Sequence, residues 1–412
     1  MTSHGFWTDA RGSGEKRLSL SRLTLSEFRN YGRCTLTLDG QSVVLTGRNG
    51  SGKTNILEAV SLLAPGRGLR GAPFAELARL TGDGGWAVSA RLQRDGDDVT
   101  LGTGQQAPAQ TGATGRLVRV DGEPAAGSGS LGDYLQIVWL IPAMDGLFTG
   151  PGSDRRRFLD RIVSTFDGAH RRRLNHFERA MRQRNRLFEA GERSGRLFEA
   201  IESQMAETGT AVAAARIEAA ERLADAAIGH ADGAGTAFPN AVLALEGTLE
   251  AALQTAAAID VEDNYARQLA DNRERDRAAG RALFGPHRSD LLVRHGPKDM
   301  PANLCSTGEQ KALLIGLVLA HAKAVKDMAG GLAPLLLLDE IAAHLDALRR
   351  EALFEEIERL GSQAWLTGTD HEVFEPLRQN AQFLTVADGA VASTGHRTMP
   401  PAARPISTGY KE

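Results

Sequence analysis

The chain opens with a pattern of apolar and polar positions that predicts two paired strands and a third, fully buried one. Apolar and polar residues alternate over 18–25 and 34–38, which is the period of a strand with one buried face. The first alternation slips by one position near Ser21, so this strand is predicted to be irregular. Residues 43–46 are almost continuously apolar and predict a buried strand, and 55–63 predict a helix with one apolar face. This order indicates an α/β domain.

Residues 81–125 show a different pattern, with short alternating runs separated by Gly, Asp, Gln and Pro. Such runs indicate antiparallel hairpins, and we expect a β-rich subdomain with a mobile loop at residues 102–115. The predicted strands are residues 86–92, 99–101 and 117–120. A continuous apolar run at 134–141 then predicts a buried strand, which Pro142 ends.

Helical periodicity dominates residues 153–281. Leu174, Phe177 and Met181, for example, recur at the spacing that places them on one face of a helix. A short strand is predicted at 242–245 within this region. Because the apolar repeat is not sustained over several heptads, we expect a compact helical arm rather than an extended coiled coil.

After the arm, strands and helices alternate again, which predicts that the second half of the chain completes the first domain. The predicted elements are strands at 289–293, 335–338 and 364–367 and helices at 307–323 and 347–360. The predicted division is an N-terminal head part at 18–152, an arm at 153–281 and a C-terminal head part at 282–393. The polar extension 1–17 and the tail 394–412 are expected to be disordered.

Composition and charge limit the function classes. The 412 residues are 24% charged and 42% hydrophobic, as in ordinary globular proteins, and the net charge of -3 argues against wholesale coating by nucleic acid. Any DNA contact must therefore come from a local basic patch. Cys34 and Cys305 form no disulfide framework and suit a reducing cytoplasm, and the histidines lack the spacing of a zinc site. The chain contains no run of about eighteen apolar residues, so no membrane span is predicted.

The strongest chemical motif lies between the third strand and the first helix. It fits G-x-x-x-x-G-K-[ST] at every fixed position and consists of Gly47, Arg48, Asn49, Gly50, Ser51, Gly52, Lys53 and Thr54. The glycines let the backbone N–H groups converge on one anion, and the helix N-terminus adds a partial positive charge. Lys53 is expected to reach the β- and γ-phosphates, and the Thr54 hydroxyl to bind Mg²⁺. The alternative is a glycine-rich turn, which the flanking strand and helix and the Lys-Thr pair disfavour.

A second carboxylate-bearing segment completes the predicted site. Four leucines lead to Asp339 and Glu340, which are expected to reach the Mg²⁺ shell and the attacking water, respectively. Asp346 follows shortly after and is predicted to lie near the same site. The alternative for this segment is a buried strand with a solvated end, which is less favoured beside a phosphate loop.

The segment Ser306-Thr307-Gly308-Glu309 precedes a long apolar helix and has two interpretations. It is a capped helix start, or it is a second helix terminus that faces a γ-phosphate through Ser306, Gly308 and the helix dipole. One chain has one phosphate loop. A second phosphate-facing terminus therefore makes most sense if two chains enclose each nucleotide.

Together these motifs resemble the ABC-type ATPase heads of the SMC-like class, and within that class the RecF family of bacterial DNA replication and repair proteins. The narrower resemblance rests on residues 28–31 (Phe-Arg-Asn-Tyr), 152–160 (Gly-Ser-Asp-Arg-Arg-Arg-Phe-Leu-Asp) and 285–291 (Gly-Pro-His-Arg-Ser-Asp-Leu). It covers residues 20 to 390. The resemblance implies an α/β fold: a P-loop ABC-type ATPase head with an antiparallel β subdomain and an inserted helical arm domain.

The resemblance also assigns roles to the residues of the site. It implies that Lys53 and Thr54 bind ATP and Mg²⁺, that Asp339 holds the metal, and that Glu340 is the hydrolytic base. Ser306 and Gly308, with Glu309, would form the signature that contacts the γ-phosphate bound to the other subunit. Thr369 lies in the switch segment 367–370. ABC heads usually have a histidine in this switch, whereas here the nearest one, His371, lies just beyond the segment.

An arginine-rich stretch offers candidate DNA contacts. Residues 154–196 contain thirteen arginines, no lysine and six acidic residues, in a chain that is acidic overall. Guanidinium groups suit phosphate oxygens. The candidates are Arg155, Arg156, Arg157, Arg171, Arg172, Arg173, Arg182, Arg184 and Arg186. Two alternatives remain: a solvated helix face with intrahelical ion pairs, and, for residues 155–157, structural pairing at the junction between head and arm. Because no residue pattern offers base readout, recognition of duplex DNA without sequence preference is expected.

The function that the resemblance implies is ATP-dependent binding of duplex and gapped DNA in recombinational repair and replication-fork maintenance. A homodimer would form on ATP, a weak DNA-stimulated ATPase would release it, and the partners would be RecA, RecO and RecR at gaps. A cytoplasmic protein with no membrane contact is expected. The alternatives are the ATPase subunit of an ABC transporter and a structural SMC-like DNA tether. The role of residues 285–290 stays open between a ligand-facing loop and a turn from arm to head.

Overall fold

A computed structural model of the chain describes residues 17–94, 96–107, 115–231, 237–342 and 345–393. The predicted tail 394–412 and all but the last residue of the predicted extension 1–17 lie outside these ranges. So does most of the second half of the predicted loop 102–115.

Strands and helices are numbered in chain order within the described residues. The strands are β1 (Leu18–Phe28), β2 (Tyr31–Thr37), β3 (Ser42–Thr46), β4 (Trp86–Arg94), β5 (Asp97–Gln105), β6 (Leu117–Val120), β7 (Glu123–Pro124), β8 (Ile137–Leu140), β9 (Ala241–Glu246), β10 (Asp290–His295), β11 (Met300–Pro301), β12 (Leu335–Leu338), β13 (Ala364–Gly368), β14 (Ala381–Ala387) and β15 (Ala390–Ser393). The helices are α1 (Lys53–Ser61), α2 (Gly152–Phe166), α3 (His170–Glu189), α4 (Gly195–Ala231), α5 (Thr248–Leu253), α6 (Ala258–Asp271), α7 (Arg273–Ala279), α8 (Thr307–Met328) and α9 (Ala347–Leu360).

The central sheet of the head has the strand order β15-β14-β3-β13-β12-β8. Its strands pair in parallel except for β15, which is antiparallel to β14. Strand β8 is shorter than the predicted 134–141, because Tyr134 still has helical backbone at the end of a 3₁₀ turn. The order places β3 and β12, which lead to the phosphate loop and to Asp339, on either side of β13.

A six-stranded antiparallel sheet, β2-β1-β4-β5-β6-β7, lies beside the central sheet. It includes β1 and β2, which precede the phosphate loop, as well as the strands of the predicted subdomain at 81–125. The predicted slip in β1 is confirmed, because its pairing with β4 shifts between Leu20 and Arg22. The predicted loop beginning at 102 is wrong at its start, because β5 stays paired with β4 as far as Gln105.

Two apolar cores cover the two faces of the central sheet. Leu335 and Leu337 of β12 pack with α1 and the antiparallel sheet. Leu336 and Leu338, on the opposite face of the same strand, pack with α8 and α9 and with helices of the arm. A strand buried on both faces is continuously apolar rather than alternating, which is why four consecutive leucines form it. None of the helices in the described ranges is both long and apolar enough to cross a lipid bilayer.

The arm contains α2 to α7 and the predicted short strand at 242–245, which is confirmed as β9. This strand pairs with β10, and β10 with β11, in a three-stranded antiparallel sheet. Helices α3 and α4 pack against each other, and α6 and α4 enclose a third apolar core around Phe177, Met205 and Tyr265.

Residues 285–290 form the turn that returns the chain from the arm to β10. Gly285 has a φ of 128°, and a Cβ atom there would lie 2.1 Å from the Tyr265 hydroxyl oxygen, so only glycine fits. The Pro286 carbonyl accepts a hydrogen bond from Arg216, and the Ser289 carbonyl accepts one from Arg156. These contacts support the interpretation of this block as a structural turn.

Candidate nucleotide-binding site

The phosphate loop joins β3 to α1 through three glycines with positive φ. Gly47, Gly50 and Gly52 have φ values of 152°, 80° and 115°. A Cβ atom at Gly47 would lie 2.2 Å from the Val386 carbonyl oxygen of β14, so a side chain there would clash with the backbone. The neighbouring strand therefore determines the path of the loop as much as the loop sequence does.

The turn between β1 and β2 holds the phosphate loop from outside. The Tyr31 hydroxyl donates to the Gly52 carbonyl at 3.1 Å, and the Asn30 side-chain amide donates to the Ser51 carbonyl at 3.2 Å. Asn55, just past the loop, donates to the Asn30 side chain at 2.8 Å. Burial raises the pKa of Tyr31 well above its ordinary range, so it remains a protonated donor. The Phe-Arg-Asn-Tyr segment thus supports the loop.

Several polar groups of the loop are not satisfied within the protein. The Ser51 hydroxyl oxygen is buried without a hydrogen-bond partner in the described residues. Gly52 is the N-cap of α1, and no side chain caps this helix. The first N–H groups of a helix need acceptors, and an anion at this position supplies them. The loop is therefore suited to bind phosphate.

Lys53 lies inside the loop and is only 4% exposed. Its ammonium group donates to the carbonyl oxygens of Gly47 at 2.7 Å and Arg48 at 3.1 Å. Burial lowers the pKa of Lys53, while the nearby carboxylates of Glu340 and Asp339 oppose this shift. Its charge is thus near the place where the triphosphate would bind.

Asp339 lies where β12 ends, beside the first turn of α1. The Thr54 hydroxyl lies 3.0 Å from each carboxylate oxygen of Asp339. Thr367, at the carboxyl end of β13, donates a further hydrogen bond to Asp339 at 2.7 Å. The parallel register, with Leu338 opposite both Leu140 and Leu366, brings these strand ends to one edge of the sheet. The predicted pairing of Thr54 with Asp339 is therefore present.

Glu340 follows Asp339 in a left-handed backbone conformation, with a φ of 53°. This conformation is unfavourable for a non-glycine residue and requires support from its surroundings. Its N–H donates to the Thr367 hydroxyl at 2.9 Å. One buried hydroxyl therefore connects the predicted metal ligand to the backbone of the predicted base. The sequence-based site did not include Thr367.

Thr54 and Asp339 fit a magnesium ion. Among the residues that the structure describes, no three His, Cys, Asp or Glu side chains form a cluster that could hold a metal. Mg²⁺ in nucleotide sites usually has one or two protein oxygen ligands and completes its shell with phosphate oxygens and water. A hydroxyl and a carboxylate at one position therefore suit a metal that binds together with a nucleotide.

The signature segment is a capped and exposed helix start. Ser306 is the N-cap of α8, and it forms a capping box with Glu309. Hydrogen bonds from Lys298 and Ser306 lower the pKa of Glu309 to about 2. Ser306, Thr307 and Gly308 are exposed, and a Cβ atom at Gly308 would have only an Arg349 nitrogen within 4 Å, at 3.8 Å. The terminus is thus capped by its own chain and open to a second molecule.

Two other predicted site residues, Asp346 and Thr369, form no hydrogen bond with Thr54 or Asp339 among the described residues. Asp346 is the N-cap of α9 and accepts a hydrogen bond from the Arg349 N–H at 2.8 Å, next to the signature segment. Thr369 is exposed just beyond β13, whereas Thr367 points into the site. His371 stacks on Phe383, with ring centroids 4.6 Å apart.

Arg184 was predicted as a DNA contact, and the structure corrects this. Its side chain is fully buried in the arm, where it donates to Glu202 at 2.9 Å, to Asp276 at 2.6 Å and to the Leu269 carbonyl at 2.7 Å. Each of its three side-chain nitrogens therefore donates a hydrogen bond inside the arm, and the buried side chain is closed to a DNA phosphate.

The three consecutive arginines of α2 have separate roles. Arg155 makes a two-point ion pair with Asp290, at 2.8 and 2.7 Å, and Arg156 donates to the Ser289 carbonyl at 2.7 Å. These two residues hold the return turn between arm and head. This agrees with the alternative of structural pairing at the junction. Arg157 is exposed and pairs with Asp154. Of the remaining candidates, Arg173 pairs with Asp167 and Arg182 with Glu178, while Arg171, Arg172 and Arg186 are exposed.

Comparison with known proteins agrees with this architecture. Residues 19–392 match the family model of the RecF/RecN/SMC N terminal domain. A DNA replication and repair protein RecF from Mesorhizobium japonicum is 55% identical over 375 residues, which cover 91% of this chain and 98% of the relative. RecF of Brucella suis is 53% identical over 374 residues, covering 90% of this chain and 96% of the relative.

Two solved structures of the recombination mediator protein RecF in the RecFOR pathway share the fold. One, with ATPrS, has a TM-score of 0.80 at 21% identity and covers 92% of this chain and 98% of its own. The other, with ATP, has a TM-score of 0.80 at 20% identity and covers 94% of this chain and 100% of its own. The predicted fold class, a P-loop ABC-type ATPase head with an antiparallel β subdomain and an inserted helical arm, is confirmed.

Proposed function

Because this chain belongs to the RecF family of DNA replication and repair proteins, we propose that it is an ATP-dependent switch on duplex DNA. ATP with Mg²⁺ binds at the phosphate loop and closes two chains around two nucleotides. The closed dimer holds duplex DNA, including DNA beside a single-strand gap. Slow hydrolysis, stimulated by DNA, opens the dimer and releases it.

The observation that carries this proposal is the separation of two half-sites in one chain. The phosphate loop, Thr54 and Asp339 form one half, and the signature terminus at Ser306 forms the other, exposed on α8. Within the described residues, the hydrogen bonds of Ser306 are with Glu309 and Gln310 of its own helix, and none is with the phosphate loop. A second copy of the chain can complete each site.

The residues divide the chemistry as follows. The N-terminus of α1 and Lys53 bind the phosphates, and Thr54 and Asp339 hold Mg²⁺, which neutralises phosphate charge when it is bound. Glu340 accepts a proton from the attacking water, and Thr367 fixes the backbone of Glu340 relative to the Asp339 carboxylate. Ser306 and Gly308 of the second chain stabilise charge that develops on the γ-phosphate.

The biological role follows from the relatives. They are DNA replication and repair proteins, and the solved neighbours are recombination mediators of the RecFOR pathway. We propose that this chain acts in recombinational repair with RecO and RecR and helps to load RecA at gaps. The exposed arginines among the predicted candidates supply the DNA contacts. Membership of the RecF family disfavours the transporter, and the packed helices of the arm disfavour a long tether.

Steady-state ATP hydrolysis tests this proposal. The rate per chain is measured over a range of protein concentrations, with and without duplex DNA at moderate salt. We expect a slow rate that rises with both protein concentration and DNA, because each site needs two chains. A rate per chain that stays constant with concentration and ignores DNA would contradict the composite site. Glu340→Gln, which retains the shape of the side chain, measures the background.

A further inference from the structure

A cavity of about 520 Å³ lies between the head and the arm. On the arm side it is lined by Arg171, Arg172, His176 and Arg179 of α3, and on the head side by Asp133 and Gln136. We call this cavity the basic cleft. Among the described lining residues, three guanidinium groups face one carboxylate, that of Asp133, so the lining carries excess positive charge.

The arginines of the basic cleft differ from their neighbours on the same helix in their pairing. Arg173, Arg182 and Arg184 each have a carboxylate within salt-bridge distance. Over the part of the chain that the structure describes, Arg171, Arg172 and Arg179 make no ion pair with any carboxylate. A concentration of unneutralised charge in a concave site is typical of a surface that binds an anion.

The positive charges in and around the basic cleft also repel one another. Desolvation and the charge of Arg67 lower the pKa of Arg171, and the charge of Asp160 opposes this shift. Burial and the charge of Arg171 lower the pKa of Arg116 to about 10. Asp133 and Asp160 offset this repulsion only in part, because the arginines outnumber them, and a bound anion lowers the remaining cost.

The size of the basic cleft favours an extended anion. Arg172 and Arg179 are two turns apart on α3, which is about 10 Å at 1.5 Å per residue. That distance corresponds to about three base-pair steps along the DNA helix axis, at 3.4 Å per step. A chain of phosphates can place a separate phosphate against each arginine, which a single phosphate ion cannot do. Arginine forks match phosphate oxygens in geometry as well as in charge.

We propose that the basic cleft binds the phosphate backbone of a DNA strand between the head and the arm. This inference rests on the proposed DNA-binding function and gives it a location. It also selects three arginines, of which Arg179 was not among the candidates that the sequence suggested.

The basic cleft adjoins the segment that follows the phosphate-loop helix. A Cβ atom at Gly66 would lie 2.8 Å from a guanidinium nitrogen of Arg171, so the absence of a side chain allows this close approach. Arg116 donates to the Gly66 carbonyl at 2.5 Å and to the Leu62 carbonyl at the end of α1. A strand in the basic cleft is therefore linked, through Arg171 and the segment at Gly66, to the helix whose other end binds ATP. This link provides a physical path for stimulation by DNA.

The test compares two double variants of the full chain. Arg172→Ala/Arg179→Ala removes two charges from the basic cleft. Arg222→Ala/Arg275→Ala removes two exposed arginines elsewhere on the arm and serves as the matched control. Binding of a fluorescent 30-base-pair duplex is measured between about 50 and 200 mM salt, with ATP and Mg²⁺ present. Thermal melting of each variant verifies that it is folded.

We expect the cleft variant to bind DNA at least tenfold more weakly. The plot of log affinity against log salt concentration should be less steep by about two units, one for each phosphate that the protein no longer neutralises. The control should bind within twofold of the wild type. Equal affinity and equal salt slope for the wild type and the cleft variant would overturn the assignment of the basic cleft. If the double variant melts early, the test is repeated with Arg179→Gln alone. The slope of log affinity against log salt concentration should then change by about one.

Two further outcomes separate this proposal from the function on which it rests. If the wild type itself fails to bind duplex DNA with ATP, the DNA-binding function is wrong. If tripolyphosphate binds to the wild type and not to the cleft variant, while DNA binds equally to both, the basic cleft is a site for free polyphosphate, and the DNA assignment is overturned.

Discussion

Helix α3 contains two groups of arginines whose environments are opposite. Arg184 is buried, and Glu202 and Asp276 neutralise it. Arg179, little more than one turn earlier, faces the basic cleft without a carboxylate partner in the described residues. The two residues have the same chemistry and differ only in what the rest of the chain places around them. A count of arginines therefore gives the charge of a region, while the ion pairs decide which part of that charge is available to a ligand.

The head shows the same contrast in its polar groups. In the return turn 285–290, Arg216 and Arg156 satisfy the carbonyls of Pro286 and Ser289. The phosphate loop, in contrast, leaves the Ser51 hydroxyl and the N-terminus of α1 without a side-chain partner. We infer that polar groups satisfied within the chain hold the fold, and that those left over at a concave surface bind ligands.

The largest effect is expected from removing Arg184, the buried arginine that is paired with two carboxylates. Arg184→Met leaves the carboxylates of Glu202 and Asp276 buried with less positive charge, and the loss of one partner from a buried pair costs about 3–5 kcal/mol. The midpoint of urea unfolding should fall accordingly. An unchanged midpoint would show that the buried pairs do not stabilise the arm.

The second largest effect is expected on the stabilisation of the protein by a nucleotide, which would satisfy the free polar groups of the phosphate loop. Because ATP binds only the folded state, a non-hydrolysable analogue with Mg²⁺ at 100 times its dissociation constant should stabilise the wild type by about 2.7 kcal/mol. Thermal melting measures this shift. Lys53→Ala should lose most of the shift, since the buried ammonium supplies the charge for the phosphates. An equal shift in both proteins would contradict the assignment of the loop.

A smaller effect, on rate rather than stability, is expected at Thr367. Thr367→Val removes the hydrogen bond to Asp339 and leaves the Glu340 N–H without its acceptor. A hydrogen bond to a charged group contributes about 1.5–3 kcal/mol, so hydrolysis should slow by roughly ten- to a hundredfold. The affinity for ATP should change far less, because Thr367 is hydrogen-bonded to Glu340 and Asp339, the proposed base and metal ligand, rather than to the phosphate loop.

Two comparisons separate positioning by Thr367 from a general loss of structure. Thr367→Ser keeps the hydroxyl and should restore most of the rate. Thr369→Val, at the exposed neighbouring position, should have the smaller effect of the two valine substitutions. A Thr367→Val protein with wild-type turnover would show that the hydroxyl does not position Glu340.

The smallest effect is expected at the signature terminus and depends on pH. Hydrogen bonds from Lys298 and Ser306 hold the pKa of Glu309 at about 2, against an ordinary value of 4.5. The depressed pKa means that the ionised capping box stabilises the fold above pH 4.5 and is lost only as the pH falls towards 2. Lys298→Met should raise this pKa, so that Glu309 starts to titrate by pH 4. The carboxyl carbon shift in ¹³C-glutamate-labelled protein measures this, and identical titrations would contradict the role of Lys298.

Local motifs explain why most of the candidate nucleotide site was predictable from the sequence. The residues from Gly47 to Thr54 are consecutive, and their spacing alone specifies a strand, a phosphate loop and a helix. Asp339 and Glu340 follow a strand that four leucines make evident. The assignment of Thr54 to the same site as Asp339 required only the rule that parallel strands end at one edge of a sheet.

The features that the sequence did not predict depend on distant pairing. Thr367 acts in the site because β13 lies between β3 and β12, and strand order is not a local property. A threonine at the last-but-one position of a buried strand was the available signal. Arg184 is buried because of partners 18 and 92 residues away, and no local charge pattern indicates them. Strands β14 and β15 were not predicted, although β14 helps to shape the phosphate loop.

Light scattering of the Glu340→Gln variant with ATP and Mg²⁺ tests the central claim most directly, namely that the exposed signature terminus completes the nucleotide site of a second chain. This substitution blocks hydrolysis and should let the closed state accumulate. We predict twice the mass of one chain with ATP, and the mass of one chain both without ATP and in Glu340→Gln/Ser306→Arg with ATP. A Glu340→Gln protein that binds ATP and keeps the mass of one chain would contradict the claim.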